Sequence, residues 1–134
     1  YFENVISQLF DKEQPEQILF SLLEDKKCIG YGGLVHIDWE QKTAEISFLI
    51  DTELEKTRFI ELWSLYLSMI ERIAFYEKTL HKIYVYAYDL RPNLYPILIK
   101  SGFTFEKRIK NKIIHSDQWV DAIIHSKYNS NGAS

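Results

Sequence analysis

The first half of the chain alternates short apolar runs with polar turns, which is typical of strands. ILFSLL at 18–23 is followed by EDKK and then by CIGYGGLVHID, which predicts a β-hairpin with Lys26 and Lys27 near its tip. WEQKT is a second polar turn, and AEISFLI at 44–50 resumes as a strand whose side chains alternate between two faces. These segments predict three consecutive antiparallel strands.

Helical spacing governs the middle of the chain. Between Phe59 and Tyr76 the apolar residues recur every three or four positions over about five turns, which predicts a long amphipathic helix. Its buried face is expected to carry the apolar positions 59, 62, 63, 66, 70, 73 and 74. The opening segment 1–10 has the same spacing over a shorter length and predicts another helix.

A strand, a short helix and a final strand pair complete the pattern. HKIYVYAYD at 81–89 predicts a strand, and Pro92 opens a short helix that a Ser-Gly pair ends. FTFEKRIKNKII and WVDAIIHSKY predict an antiparallel pair around the turn HSDQ. The order predicts a mixed α/β fold. Its sheet is mostly antiparallel and has one parallel pair, formed by 44–50 and 81–88.

Composition limits the function classes. The 134 residues, 46% hydrophobic and 26% charged, fit one domain at 1–128, with a tail at 129–134 that is disordered or a cloning remnant. A net charge of -3 gives no electrostatic case for nucleic-acid binding, and no apolar run approaches the ~20 residues of a membrane span. Cys28 is the single cysteine, so we predict no disulfide, no metal site and a cytoplasmic location.

The connection from the strand 44–50 to the long helix is the candidate binding element. Ligands of open α/β sheets bind where strands end, and a helix N-terminus offers unpaired N–H groups and a positive dipole end to phosphate. Here the connection is DTELEKTRFIEL, at 51–62. The alternative is that Thr52 and Glu55 form a capping box and the charges begin a solvated helix.

Five segments, in order and spacing, resemble the GNAT family of N-acetyltransferases. They are IGYGGLVHID, AEISFLID, LHKIYVYAYDLRPN, ILIKSGFTFEK and WVDAIIHSKY, which cover about 18–128. The resemblance is to the branch of ribosomal-protein alanine and amino-sugar acetyltransferases. It implies acetyl-CoA as co-substrate and a primary amine of a small molecule or protein N-terminus as acceptor. The family's first strand and helix have no counterpart ahead of Tyr1, so we expect the domain to be N-terminally incomplete.

The resemblance implies that acetyl-CoA lies in a wedge between the two parallel strands, with its pyrophosphate against the turn. The family has two glycines in this turn, whereas this chain carries Lys56 and Arg58. The two cations would add charge-assisted contacts to phosphate, while their Cβ atoms and three nearby carboxylates would crowd it. The cofactor-binding residues expected on this basis are Phe48, Leu49, Ile50, Lys56, Thr57, Arg58, Phe59, Tyr88 and Asn93.

Acetyl transfer to an amine uses a base for the amine proton and an acid for the leaving thiolate. Glu45 is the first candidate base, acting directly or through water, and His36 is the second. Tyr95 is the candidate acid, because the family's usual tyrosine position holds a leucine here; Tyr86 and Tyr88 are alternatives. Each candidate also has a structural interpretation: an ion pair with a lysine for Glu45, a solvated strand residue for His36, and packing for Tyr95.

Three functions fit the sequence. The first is an acetyl-CoA-dependent N-acetyltransferase that works by direct attack of the amine. The second is a catalytically degenerate protein of this fold that binds CoA or a protein partner without turnover. The third is a homodimeric interaction module in which exposed sheet edges pair. Trp39 and Trp119 are further candidates to line an acceptor pocket, although strand-end tryptophans more commonly belong to a core.

Overall fold

The computed structural model describes residues 15–129 and, as a backbone strand, 2–6. Seven strands form one sheet in the order β1-β2-β3-β4-β5-β7-β6. They are β1 (Phe2–Ile6), β2 (Ile18–Glu24), β3 (Lys27–Asp38), β4 (Thr43–Ile50), β5 (Lys82–Tyr88), β6 (Thr104–His115) and β7 (Gln118–Tyr128). The helices are α1 (Thr52–Arg72), which a π-helical turn continues (Ile73–Glu77), and α2 (Leu94–Lys100). The predicted mixed fold, mostly antiparallel with one parallel pair, is confirmed.

The β2–β3 hairpin turns where the sequence predicts it. Asp25 and Lys26 both have positive φ angles, of 51° and 67°, which is the backbone of a tight two-residue turn. Further along β3, at Gly32, the backbone of β4 is too close to leave room for a side chain. A Cβ there would lie 2.0 Å from the Ser47 carbonyl oxygen. This glycine therefore lets β3 and β4 pair in register.

The prediction of a helix over 1–10 is wrong for residues 2–6, the part of this segment that the structure describes. Residues 2–6 form the edge strand β1, which pairs antiparallel with β2 from Phe2 opposite Glu24 to Ile6 opposite Phe20. The free edge of β2 supplies hydrogen-bond partners from a distant part of the chain, and such pairing overrides the spacing of a short segment. The rest of the predicted helix lies outside the described residues.

Helix α1 packs one face against the sheet, as its spacing predicts. All seven of the predicted core positions between Phe59 and Ala74 are buried. Tyr66 stacks on Phe48 of β4 at 3.8 Å between ring centroids, and its hydroxyl donates to the Ser47 carbonyl at 2.7 Å. These contacts fix α1 against β4. None of the helices in the described ranges is long and apolar enough to cross a membrane.

The domain extends one residue beyond the boundary expected from the sequence. Asn129, assigned above to the tail, is 5% exposed, and its side-chain amide donates to the carbonyls of Phe75 and Leu80 at 3.4 and 3.0 Å. A buried amide that bonds two main-chain carbonyls belongs to the folded structure. The remaining tail residues, 130–134, lie outside the described part of the chain.

Candidate functional site

Strands β4 and β5 pair over only part of their length. The parallel ladder joins three positions, ending where Glu45 lies opposite Tyr84. Beyond this point β4 continues to Ile50 beside β3, and β5 continues to Tyr88 beside β7. The backbone of 46–50 therefore has no ladder partner on its β5 side, and its polar groups there are open to a ligand.

A cavity of about 310 Å³ occupies this gap; we call it the wedge cavity. Its strand walls include Glu45, Ser47 and Phe48 from β4 and Tyr86, Ala87 and Tyr88 from β5. Successive side chains of a strand point to opposite faces, so the cavity is bordered by residues of both faces of the sheet. Phe48 packs on α1, which identifies the helix side, and Glu45 belongs to the other side. Two reactants can therefore approach the gap from opposite faces.

Glu45 lines this gap and lies beside His36, as their positions on neighbouring strands suggest. His36 Nε2 is 3.7 Å from Glu45 Oε1, with the histidine side chain 75% exposed and the glutamate side chain 22% exposed. Burial raises the pKa of Glu45, and the nearby His36 lowers it to a smaller extent. The result is a carboxylate that holds a proton more readily than an exposed one. An irregularity in the β3–β4 pairing between Val35 and Asp38 places His36 at a positive φ of 50°.

Tyr95 does not line the wedge cavity. Its hydroxyl donates to Asp89 Oδ1 at 2.7 Å, and its ring stacks on His125 at 5.2 Å between centroids. Burial, and then the bond to Asp89, raise the pKa of Tyr95 well above its usual range. A tyrosine held in this way is a poor proton donor, and the contacts match the packing interpretation given above.

The alternative tyrosines do reach the cavity. Tyr86 and Tyr88 are lining residues, and their rings meet edge to face at 6.0 Å between centroids. Tyr88 is 40% exposed. Both come from the part of β5 that has separated from β4. The structure therefore brings two tyrosines to the same cavity as Glu45.

The N-terminus of α1 is closed by its own cap. The Asp51 side chain accepts hydrogen bonds from the backbone N–H groups of Glu53 and Leu54, at 3.0 and 3.4 Å. The proposed capping box based on Thr52 is therefore wrong: the cap is one residue earlier, at an aspartate, which is among the best N-cap residues. The carboxylate occupies the place where a bound anion would otherwise accept from these amides.

Lys56 and Arg58, which replace the family's glycines, have different environments. Lys56 is 68% exposed and pairs only loosely with Glu53, at 3.7 Å. Arg58 lies at a kink in α1 (φ -127°, ψ 28°) and forms a two-bond pair with Glu24, at 2.8 and 3.0 Å, and a further pair with Glu61. Arg58 therefore ties the start of α1 to the β2–β3 hairpin, whereas Lys56 faces solvent.

Of the residues expected to bind the cofactor, only Phe48 and Tyr88 line the wedge cavity. Phe59 is buried in the core, and Leu49 is 68% exposed. The others lie at the strand end, in the first turns of α1 or before α2; they are Ile50, Lys56, Thr57, Arg58 and Asn93. The structure brings the predicted base and two tyrosines together, and it spreads the predicted phosphate contacts over a wider surface.

Among the lining residues that the sequence did not predict for the site are Ser47, Trp63 and Arg91. The guanidinium of Arg91 lies 5.9 Å from the centre of the Phe59 ring and pairs with Glu55. A cation directly after β5, at the carboxyl end of a parallel strand, is the signal that predicts it. Ser47 and Trp63 carry no such signal, since one reads as a strand residue and the other as core.

The two tryptophans proposed for an acceptor pocket differ in role. Trp39 donates its indole N–H to the Pro15 carbonyl at 2.7 Å and packs against the core. Trp119 is 60% exposed and lines a second cavity, of about 390 Å³, which shares Leu90 with the wedge cavity. Trp119 therefore lies beside a cavity that adjoins the wedge cavity. Across residues 15–129 no cluster of three or more His, Cys, Asp or Glu side chains is arranged to hold a metal ion.

Known structures share this architecture. A chimera of the spermidine N-acetyltransferase SpeG from Vibrio cholerae with hSSAT has a TM-score of 0.73 and 21% identity, covering 87% of this chain and 71% of the other. A mutant form of the Vibrio cholerae spermidine/spermine N-acetyltransferase SpeG has a TM-score of 0.80 and 18% identity, covering 90% and 69%. A dodecameric structure of the Vibrio cholerae spermidine N-acetyltransferase has a TM-score of 0.73 and 21% identity, covering 87% and 67%.

The family assignment rests on the sequence match. No curated protein matches the chain significantly. Residues 1–124 match the family described as the acetyltransferase (GNAT) domain, which is more than nine-tenths of the chain. The separated parallel strands, with a cavity between them, agree with that match. The chain belongs to the GNAT family of acetyltransferases.

Proposed function

We propose that this N-acetyltransferase carries an acetyl group from acetyl-CoA to a primary amine of a small molecule or a protein N-terminus, by direct attack of the amine. The observation that carries the proposal is the separation of β4 from β5 beyond Glu45. It leaves unpaired backbone on one wall of a cavity, a half-buried carboxylate at one side and two tyrosines on the other wall. A thioester and an amine require these groups in one place.

The residues present fit the acyl-pantetheine arm of acetyl-CoA better than its phosphates. The arm is narrow and carries amide groups, which the unpaired backbone of 46–50 can bind as a strand would. The amides at the start of α1 are already taken by Asp51. We therefore assign the phosphate end to the cations Lys56 and Arg91. Arg58 serves the fold through Glu24.

The residues around the wedge cavity supply the proton transfers. Glu45 accepts a proton from the amine as its nitrogen bonds to the acetyl carbonyl carbon, directly or through a water. The carbon–sulfur bond then breaks, and the thiolate sulfur takes a proton from Tyr86 or Tyr88. Because burial raises the pKa of Glu45, its carboxylate is a stronger base than an exposed one. The acetyl group ends on nitrogen as an amide, and CoA leaves as the thiol.

The acceptor class is tested with a panel of amines. We expect thiol release from acetyl-CoA with at least one of spermidine, an amino sugar and a peptide that begins with alanine. Spermidine is included because the structural neighbours are described as spermidine N-acetyltransferases. The amino sugar and the peptide are included because the sequence resembles the branch of amino-sugar and ribosomal-protein alanine acetyltransferases. Acetyl-CoA that raises the melting temperature without thiol release from any amine would favour the degenerate protein instead.

Replacing His36 separates its role from that of Glu45. We expect His36→Gln to move the acidic limb of the kcat/KM profile to higher pH by about half a unit. His36 lowers the pKa of Glu45, so its loss raises the pKa of Glu45 further. An exposed pair contributes about 0.2–1 kcal/mol, and one pKa unit corresponds to about 1.36 kcal/mol. A large loss of activity together with the disappearance of the acidic limb would instead identify His36 as the base.

Lys56 gives a clean test of phosphate binding. We expect Lys56→Glu to weaken acetyl-CoA binding by about threefold to tenfold at low salt, because a charge-assisted contact becomes a repulsion. Lys78→Glu, in the exposed bend after the π-helical turn that continues α1, is the matched control and should bind like the wild type. Arg58→Glu is less informative, since it also breaks the pair with Glu24. Equal affinities for the two lysine variants would reject this assignment.

Self-association is a separate proposal. The outer strand β6 is largely exposed, and its Phe105 and Ile114 are 56% and 60% exposed. An open strand edge with apolar side chains favours pairing with another copy. One structural neighbour is described as dodecameric. We propose a homodimer through this edge, and light scattering of the purified chain tests it, with a monomer at all concentrations as the contrary result.

A further inference from the structure

One buried polar group is left without a partner, and it belongs to a residue that lines the wedge cavity. Trp63 is 3% exposed, and within the described ranges its indole Nε1 is the single buried side-chain N or O atom that lacks a hydrogen bond. Buried polar groups in native proteins are nearly always paired, so an unpaired donor calls for a physical reason. Trp63 is also one of the residues that line the cavity.

The surrounding residues show that the unpaired donor is not a sign of loose packing. The Trp63 ring is fixed edge to face against Phe48, at 5.1 Å between centroids, and contacts Phe59 and Tyr66 at 6.2 and 6.4 Å. Tyr66, one turn further along α1, has its hydroxyl bonded to the Ser47 carbonyl. Elsewhere, the N–H of Trp39 is bonded to the Pro15 carbonyl. The Tyr66 hydroxyl and the Trp39 N–H therefore have hydrogen-bond acceptors, whereas the Trp63 N–H has none.

The chemistry of the cavity wall selects the missing partner. On the helix side, Trp63 is accompanied by apolar lining residues, among them Ile46, Val85 and Leu94. An indole N–H is only a donor, so the partner must be an acceptor such as a carbonyl oxygen. The nitrogen itself exposes less than 1 Å², so a ligand reaches it by displacing part of the apolar wall.

We propose that the indole N–H of Trp63 binds a carbonyl oxygen of the acyl-pantetheine arm of acetyl-CoA, from the helix side of the wedge cavity. This inference rests on the proposed function, because it takes acetyl-CoA as the occupant of the cavity. It makes Trp63 a binding residue rather than a purely structural one. Glu45 and Trp63 then act from opposite sides of the sheet, one on the amine and the other on the thioester arm.

Calorimetric titration of the purified chain with acetyl-CoA tests the proposal. We expect Trp63→Phe to raise the Kd by about fivefold to tenfold, as the loss of one neutral hydrogen bond predicts. Its Kd for adenosine 3′,5′-bisphosphate, which lacks the arm, should stay within about twofold of the wild-type value. Trp39→Phe is the matched control, since it removes an indole whose N–H is bonded away from the cavity, and it should bind acetyl-CoA like the wild type.

A spectrum of the unaltered protein covers the case in which Trp63→Phe folds poorly. In a ¹⁵N correlation spectrum, the Trp63 indole proton should move downfield when acetyl-CoA saturates the protein, as a new hydrogen bond requires. If acetyl-CoA binds but this resonance does not move downfield, the role of Trp63 is refuted and the proposed function stands. An unchanged Kd for Trp63→Phe has the same meaning. If the wild type does not bind acetyl-CoA, both proposals fail.

Discussion

Glu45→Gln is expected to lower kcat/KM for acetyl transfer by about 100-fold to 10,000-fold, the range that a general base contributes. The amide keeps the size of the side chain and removes the proton-accepting oxygen. The Kd for acetyl-CoA should stay within about twofold, because we assign Glu45 to the amine side of the gap. Rates of thiol release and calorimetric titration measure the two quantities.

The pH profile distinguishes a base from a residue that only shapes the cavity. Activity requires the Glu45 carboxylate, so kcat/KM falls as pH drops through its pKa, which burial raises. Glu45→Gln should abolish this acidic limb as well as lower the rate. Glu40→Gln, in the exposed turn before β4, is the matched control and should change neither. A Glu45→Gln enzyme within threefold of wild type, with its limb intact, would show that another group takes the proton.

Filling the wedge cavity should have the largest effect on binding. Ala87→Trp places an indole among the lining residues of a cavity of about 310 Å³. We expect it to weaken acetyl-CoA binding by at least about 100-fold, since the arm and the indole cannot share the space. Overpacking typically costs about 1–3 kcal/mol of stability, so the variant should still fold. Titration with acetyl-CoA and a thermal melt of the same sample separate lost binding from lost fold.

Two further variants control the cavity-filling experiment. Ala87→Ser keeps the side chain small and should bind acetyl-CoA within about threefold of wild type. Ser68→Trp adds the same indole on the exposed side of α1 and should not affect binding. Wild-type affinity in a folded Ala87→Trp protein would place the acetyl-CoA site elsewhere.

Long periodic segments made most of the fold predictable from the sequence. The core face of α1 extends over several turns, and the alternation of β4 places Ile46 and Phe48 inward. The helix prediction for 1–10 is wrong at residues 2–6 because the periodic segment is too short to outweigh pairing with the distant edge of β2. Only the folded sheet supplies that edge. The cap was misplaced by one residue because Asp51 directly follows the strand and, without an intervening loop, caps the helix.

The candidate site was predictable only in part. Glu45 and His36 were brought together because neighbouring strands dictate which positions face each other. Arg58 looked like a phosphate ligand, but its partner Glu24 lies 34 residues away in sequence, where no local pattern reveals it. The unpaired N–H of Trp63 depends on the packing of several rings, which is likewise a property of the folded structure.

Hydrogen–deuterium exchange on β4 tests the central claim, that acetyl-CoA lies between β4 and β5. The backbone of 46–50 has no ladder partner on the β5 side, so its amides that face this gap exchange with solvent. With acetyl-CoA at saturation, we predict slower exchange across 46–50 and no change in the β6–β7 turn. Unchanged exchange across 46–50 in a protein that demonstrably binds acetyl-CoA would contradict the claim.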